Sequence, residues 1–274
     1  MDTKWEQRYR RYLDDENLSY VEMGKLMESY RPAKLYKYMR FNEFWERNIF
    51  KGQVYLSKAS GLNDPFDCLV YVNHKIYKEY IFQKACKLFQ GIDRKVLRET
   101  VKASISHELD QQVYEMKKKI RITCFTENYT SPLMWAHYAE SHKGFCVEYD
   151  LSKIPEGYRW EILPVVYSNK RYDATKVITA KNRNIVMNPY YFKSVHWEYE
   201  KEWRMVIPES LITDEEYYAD FSEGITGIYL GLESYNYHKE KIQMIIEKYS
   251  QKEIAVHKAI IEPSSYQLKF VRVN

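Results

Sequence analysis

The sequence predicts an α+β fold built on a mixed or antiparallel sheet. The apolar segments of strand length are short, scattered along the chain, and do not alternate with helical segments as βαβ units would. Residues 75–119 show helical periodicity with one break at Gly91-Ile92-Asp93 and no strand signal. We therefore expect a single domain, residues 1–274, in which a helical hairpin is inserted between sheet-forming segments.

Local patterns place the elements in chain order. Residues 1–32 carry apolar residues at helical spacing and predict two short helices that end at Pro32. The core is expected in residues 33–74 and 120–274, with the insertion at 75–119. The patterns predict helices at 42–50 and 237–249, and strands at 33–39, 54–57, 120–126, 145–149, 165–167, 203–207, 225–230, 254–260 and 268–273.

A further short helix should begin at Ser131, because serine is a good N-cap and Pro132 fits the first helical position. Gly144 is a suitable residue to end it. The residues between are rich in aromatic rings and histidines, and they form either a packing surface or the wall of a ligand pocket.

The side chains of this helix narrow the possibilities. Trp135, Tyr138 and His142 have the spacing of one helical face, whereas His137 points away from it. The two histidines are five residues apart and cannot ligate one metal from one face. We predict no metal site, and a pocket wall is the functional alternative to packing.

Composition bounds the class of protein. The chain has 274 residues, 45% hydrophobic and 29% charged, with a net charge of +4, which is ordinary for a globular protein and too even to indicate nucleic-acid binding. The 27 tyrosines suit wet pockets and interfaces. The four cysteines form no CxxC pair, and no apolar run resembles a signal peptide or membrane span. We expect a cytoplasmic protein with free thiols and no membrane partner.

A polar loop, residues 58–67, follows the strand that ends at Ser57. It contains an Asn63-Asp64-Pro65 turn. The Asn63 and Asp64 side chains either hold this turn or, together with Ser57, face a ligand at the strand end.

Three acids precede and enter the strand WRMVI. On an extended chain Glu198, Glu200 and Glu202 would share a face and repel one another unless a cation lies opposite. Arg204 has the same parity and could pair with Glu202. The segment is therefore either a surface ion pair or a pocket that contains a catalytic carboxylate.

Four blocks together carry a family resemblance. LYKYM, VYLSKASGLNDPFD, CFTENYTSPLMWAHYAESHKGFCVEYD and WEYEKEWRM occur in order between residues 35 and 205. They resemble the prokaryotic domain-of-unknown-function family 2971, whose pattern is in turn similar to the ADP-ribosyltransferase fold. That resemblance implies an NAD-consuming ADP-ribosyltransferase or NAD glycohydrolase, with NAD as substrate.

The resemblance also implies site residues. Tyr36 or Tyr38 would match the first-strand residue that grips NAD, and either Ser57 or Tyr149 the second-strand position. The following residues complete the implied site: Glu202 as catalytic carboxylate, Glu200 to orient the acceptor, Tyr36, Tyr38 or Trp135 to stack on NAD, His137, Tyr138 and His142 as pocket wall, and Asn63, Asp64 and Arg204 as further NAD contacts.

The family analogy extends to biology. It implies a toxin or phage-defence effector that modifies a protein or nucleic-acid acceptor, with an antitoxin or defence-system partner. Two other classes remain open at this point. One is a non-catalytic module that binds a nucleotide, nucleic acid or protein, and the other is a hydrolase or nuclease that uses the histidines and carboxylates.

Overall fold

The computed structural model describes residues 4–13, 15, 17–179, 187–212 and 217–274. The α-helices in these ranges are α1 (Lys4–Leu13), α2 (Tyr20–Leu26), α3 (Trp45–Phe50), α4 (His74–Leu88), α5 (Arg94–Lys118), α6 (Pro132–Tyr138), α7 (Glu156–Glu161), α8 (Thr175–Thr179) and α9 (Ser234–Gln251). The strands are β1 (Lys34–Met39), β2 (Gln53–Tyr55), β3 (Ser57–Lys58), β4 (Val70–Tyr71), β5 (Ile120–Thr126), β6 (Phe145–Asp150), β7 (Ile162–Pro164), β8 (Val166–Ser168), β9 (Tyr172–Asp173), β10 (Phe192–Ser194), β11 (Glu202–Pro208), β12 (Tyr218–Asp220), β13 (Ile225–Leu230), β14 (Ala255–Ile261) and β15 (Leu268–Arg272).

A nine-stranded sheet dominates the described part of the chain. Its order is β15-β14-β13-β6-β1-β5-β11-β7, and β3 pairs additionally with β5. Every neighbouring pair is antiparallel except β13 and β14, which are parallel. Three two-stranded ribbons, β10-β8, β12-β2 and β4-β9, lie beside it. The predicted α+β class with a mixed, mostly antiparallel sheet is confirmed.

The segment predicted as a helical hairpin folds as α4 and α5. Asn73 and Asp93 cap the two helices, and each side chain accepts hydrogen bonds from backbone N–H groups two and three residues further on. The two helices pack on each other, and α4 packs on α8. Helix α8 lies in the stretch 170–190, which is polar and matches neither the helix nor the strand pattern. Residues 180–186 of that stretch lie outside the described residues. In the described ranges, no helix combines the length and the apolar character needed to cross a bilayer.

Helix α6 is shorter than predicted. It ends at Tyr138 rather than near Gly144, and residues 140–142 all have positive φ values. Gly144 is required for another reason: a Cβ atom there would lie 2.1 Å from the carbonyl oxygen of Met39. The turn therefore approaches the end of β1 more closely than any side chain allows.

The two faces of the sheet differ in polarity. One face carries the main core, which includes Leu35, Phe145 and Trp203 and is covered by α3, α9 and the β12-β2 ribbon. The other face carries two smaller apolar clusters, one against α1 and α2 and one against α6. A polar strip lies between these two clusters and includes Glu202 and Arg204, which are buried on β11.

The sheet is split between β1 and β5. These strands pair only at Tyr36 and Thr126, whereas further along β5 the neighbour is β3, at residues Ile122 and Arg121. The Lys37 ammonium spans the gap and donates to Thr123 Oγ1 at 2.8 Å and to the Cys124 carbonyl oxygen at 2.9 Å. The split opens beside the polar strip, so a small ligand placed there would meet buried charged groups.

Candidate active site

The acidic segment does not run straight into its strand. Residues 195–200 form a 3₁₀ helix, and Lys201 has a left-handed φ of 44° before β11 begins at Glu202. The prediction that Glu198, Glu200 and Glu202 share one face of an extended chain is therefore wrong. Glu198 is exposed, whereas Glu200 and Glu202 turn inward and are 3% and 4% exposed.

Lys193 brings the two buried glutamates together. It lies on β10, and its Nζ donates to Glu200 Oε2 and, at 3.0 Å, to Glu202 Oε2. The same ammonium lies 3.6 Å from Asp67 Oδ2. Because Lys193 is itself buried, the three carboxylates converge on one desolvated cation rather than on solvent.

Arg204 binds two carboxylates of this cluster, those of Glu202 and Asp67. Its Nε donates to Glu202 Oε1 at 2.6 Å, one terminal nitrogen donates to Glu202 Oε2 at 2.9 Å, and both terminal nitrogens contact Asp67 at 2.9 and 2.6 Å. A further bond runs to the Tyr190 carbonyl oxygen. The five N–H donors of the guanidinium are thereby used. The ion pair with Glu202 is buried, not at the surface, and Arg204 has no donor left for a ligand.

A cavity of about 110 Å³ opens above the cluster at the split in the sheet. Tyr36, Lys37 and Tyr38 of β1 form one wall, and residues 124–126 of β5 form the next. The loop residues Leu62, Asn63 and Asp67, the α6 residues Met134 and Tyr138, and Lys193, Glu200 and Glu202 complete the lining. The space is large enough for a single small ring but below the about 300 Å³ of a typical whole-ligand pocket.

Helix α6 and the loop between β3 and β4 place polar groups beside the cavity. The Ser131 side chain caps the helix by accepting from the Met134 N–H, as predicted. At the other end, the Tyr138 hydroxyl donates to Glu200 Oε1 at 2.6 Å and accepts from Asn63 Nδ2 at 3.3 Å. Tyr138 therefore connects the loop to the acidic pair.

The two glutamates have opposite electrostatics. Burial disfavours the charged form of Glu202, but Arg204 and Lys193 outweigh it and hold the pKa of Glu202 well below its ordinary value. Burial, and then the charge of Glu202, raise the pKa of Glu200 to about 7. The site therefore pairs a fixed anion with a carboxyl group that exchanges its proton near neutrality.

Lys37 adds a second unusual group. Burial lowers the pKa of this lysine, and its two hydrogen-bond acceptors are neutral oxygens. It lines the cavity together with Tyr36 and Tyr38. The ring of Tyr36 lies 4.8 Å from that of Tyr129, and the Tyr38 hydroxyl donates to the Asn128 carbonyl oxygen. Tyr36 and Tyr38, the two candidates for the first-strand residue, both line the cavity.

Three residues lie outside the cavity, namely Trp135, which was predicted to stack on NAD, and His137 and His142, which were predicted to form the pocket wall. Trp135 is fully buried, packs on Tyr38 and donates through Nε1 to the Tyr129 carbonyl oxygen. His142 lies beyond the end of α6, so it does not share a helical face with Trp135, and its ring stacks on the Trp135 ring instead. His137 is exposed and contacts the Tyr199 hydroxyl through Nδ1. The cavity is therefore lined by Tyr138 alone among the helix residues singled out as its wall.

The second-strand candidates and Asp64 also lie outside the cavity. Ser57 lines a separate groove with Arg121 and Tyr217. Tyr149 is fully buried in the main core, on the opposite face of the sheet. Asp64 accepts from the Phe66 N–H and so holds the turn. Asn63, its neighbour, lines the cavity together with Leu62 and Asp67.

Sequence reasoning missed Lys193, Asp67, Lys37 and Thr126. Asp67 carried a usable signal, because an acid directly before the apolar residues Cys68-Leu69-Val70 implies a buried partner. Lys193 carried none, since its role depends on the pairing of β10 with β8. Among the described residues, no group of three or more His, Cys, Asp or Glu side chains is arranged to hold a metal ion.

Comparison with known proteins adds one finding. Residues 134–205, which contain all but the first two residues of α6, Lys193 and both glutamates, match the model of a family described as "Protein of unknown function (DUF2971)". No curated protein and no solved structure is significantly similar to the chain. The match covers the segment that supplies the acidic half of the cavity.

Proposed function

We propose that this chain, a member of the DUF2971 family, is an NAD-consuming enzyme with an ADP-ribosyltransferase-like site at the split in its sheet. The observation that carries the proposal is the convergence of Glu200 and Glu202 with tyrosines of β1 around one small cavity. In the ADP-ribosyltransferase pattern, an Arg, His or Tyr of the first strand binds NAD, and a glutamate, often in a Glu-x-Glu or Gln-x-Glu pair, lies at a later strand. The chain presents both features to the same space.

The chemistry assigns a task to each group. Nicotinamide leaves with the electron pair of its bond to the ribose, and the sugar passes through an oxocarbenium-like state. Glu202 is held anionic and uses three of about four lone-pair positions on Arg204 and Lys193. The Cys124 thiol occupies the fourth position, so a ribose hydroxyl would replace that thiol. A fixed negative charge beside the developing cation stabilises that state without reorganisation.

Glu200 suits the second half of the reaction. The attacking nucleophile, either water or a macromolecular acceptor, loses a proton as it bonds to the ribose carbon. A carboxyl group with a pKa of about 7 is able to take that proton at neutral pH. Tyr36 and Tyr38 offer aromatic faces for the nicotinamide ring on the other side of the cavity.

The deciding experiment measures nicotinamide release from NAD by the purified protein, with cell extract supplied as acceptor. Glu202→Gln should abolish release while keeping the shape of the side chain. Glu198→Gln, an exposed neighbour of equal chemistry, is the matched control and should retain full activity. Because Glu202 holds buried cations, thermal melting of each variant must show that it is folded. Full turnover by a folded Glu202→Gln protein would refute the proposal.

A second candidate function is a nucleotide-binding module without catalysis. The observation that favours it is the near-saturation of Glu202 by Arg204 and Lys193, an arrangement that also serves stability alone. Under this alternative, NAD or ADP-ribose binds and shifts the melting temperature, but no nicotinamide appears. The same release assay separates the two functions.

A further inference from the structure

A second cavity adjoins the first along two shared walls. It has about 170 Å³ of space, and Lys193 lines both cavities. The loop between β3 and β4 also runs along both, since Asn63 and Asp67 line the first and Phe66 and Leu69 line the second. Each cavity alone is smaller than the pocket of a whole ligand.

The second cavity is positively charged. Lys170 and Arg171 follow β8, both are exposed, and both line this cavity. Neither takes part in a salt bridge among the described residues. The nearest acid along the chain, Asp173, instead accepts hydrogen bonds from the N–H and hydroxyl of Thr175.

Hydroxyl groups and an aromatic ring complete the lining. Ser168 and Ser194 lie opposite each other at the ends of the parallel strands β8 and β10. The Phe66 ring is 64% exposed, and the Arg171 guanidinium lies 6.0 Å from its centre. An exposed ring beside a guanidinium provides a flat surface on which a nucleobase stacks.

The charges of the two cavities differ in a way that identifies the ligand class. In the first, the three carboxylates of Asp67, Glu200 and Glu202 share two cations, Lys193 and Arg204. In the second, Lys170 and Arg171 face no described carboxylate partner. A ligand that spans both cavities should therefore have a cationic or neutral ring at one end and an anionic, nucleotide-like part at the other.

We propose that the second cavity is a subsite for the adenosine diphosphate half of a dinucleotide. Lys170 and Arg171 bind the pyrophosphate, and the Phe66 ring stacks on the adenine. This inference rests on the proposed function, because the first cavity then receives the nicotinamide riboside half of the same molecule. Charge-assisted bonds from arginine and lysine to phosphate oxygens are among the strongest polar contacts in proteins.

The test compares two substrates that differ only in this half. The double variant Lys170→Ala/Arg171→Ala should raise the KM for NAD by about tenfold or more with kcat unchanged. Nicotinamide release from nicotinamide riboside, which has no phosphate, should not change. The control is Lys95→Ala/Lys102→Ala, which removes two exposed positive charges from α5 and should leave both substrates unaffected. Phe66→Ala should also raise the KM for NAD.

Three outcomes separate this inference from the proposed function. An unchanged KM for NAD in the double variant would overturn the subsite while the enzyme activity stands. An equal loss for NAD and nicotinamide riboside would also overturn it, because the effect would not depend on phosphate. If the wild-type protein releases no nicotinamide, the proposed function fails, and equilibrium dialysis with ADP-ribose decides the subsite. Binding that the double variant loses upholds it, and absence of binding to the wild type refutes it.

Discussion

At the scale of single residues, Glu200 and Glu202 differ in protonation because their partners differ. Glu202 has a guanidinium and an ammonium within hydrogen-bonding distance, whereas Glu200 shares that ammonium and otherwise contacts a neutral phenol. Two carboxylates two positions apart in the chain are thereby given separate tasks. Neither the spacing Glu-x-Glu nor the residue types alone determine which is which.

This difference predicts a pH dependence. The rate of ADP-ribose transfer to an acceptor should rise with pH and level off above about 7, because Glu200 acts in its ionised form and its pKa is raised to about 7. Glu200→Gln should lower the rate and remove this rise. The measurement is kcat against pH for both proteins with a non-titrating acceptor. A rise of the same shape in the variant would contradict the assignment.

The protonation of Glu200 affects the stability of the fold as well as catalysis, and the two effects have opposite pH dependence. Its pKa is raised in the folded state from the ordinary 4.5, so the folded protein holds this proton more tightly than the unfolded chain. The contribution of Glu200 to stability is therefore fully present below about pH 4.5 and is lost as the pH rises through about 7. The ionisation that favours catalysis thus costs folding free energy.

At the scale of elements, the sequence predicted those parts of the fold that local patterns determine. Strands β5 and β13 match the predicted ranges, because each is a short run rich in β-branched and aromatic residues bounded by polar segments. The extended conformation predicted for the segment before β11 was wrong. Its acids alternate with the period of a strand, but the chain forms a 3₁₀ helix there. The meeting of Lys193 with Asp67 was beyond reach, since it depends on how distant strands pair.

The turn between α6 and β6 yields an element-scale prediction. Gly144→Ala should destabilise the protein by more than about 2 kcal/mol, because the new methyl group would overlap the Met39 carbonyl oxygen and force the turn away from β1. The matched control is Gly157→Ala in α7, where the added Cβ meets nothing within 4 Å. That change should be neutral or slightly stabilising. Urea denaturation measures both, and equal midpoints for the two variants would contradict the prediction.

At the scale of the whole molecule, the buried ion cluster joins parts of the fold that share no strand pairing. Arg204 connects β11 to Asp67 in the loop, and Lys193 connects the β10-β8 ribbon to both. The polar strip is therefore a structural junction as well as a candidate site. A substitution that disrupts this cluster should therefore lower the stability of the whole protein and not only change the cavity.

Arg204→Met tests this junction. The variant should lose about 3–5 kcal/mol of unfolding free energy, because the buried carboxylates of Asp67 and Glu202 would lose their main partner and would share Lys193 with Glu200. The control is Arg98→Met, which breaks an exposed pair with Glu79 at 3.0 Å and should cost less than about 1 kcal/mol. Chemical denaturation followed by circular dichroism measures both. Comparable small losses would show that the cluster contributes little to the fold.

The spread of the cluster along the chain has a consequence for the protein during its synthesis. Tyr36 and Asp67 leave the ribosome long before Lys193 and Arg204, which supply the opposite charges. A nascent chain therefore carries an unmatched Asp67 and an open groove until β11 has emerged and joined β5. Any activity of this site begins only when most of the polypeptide has been translated. A product that is truncated before β11 should therefore be inactive.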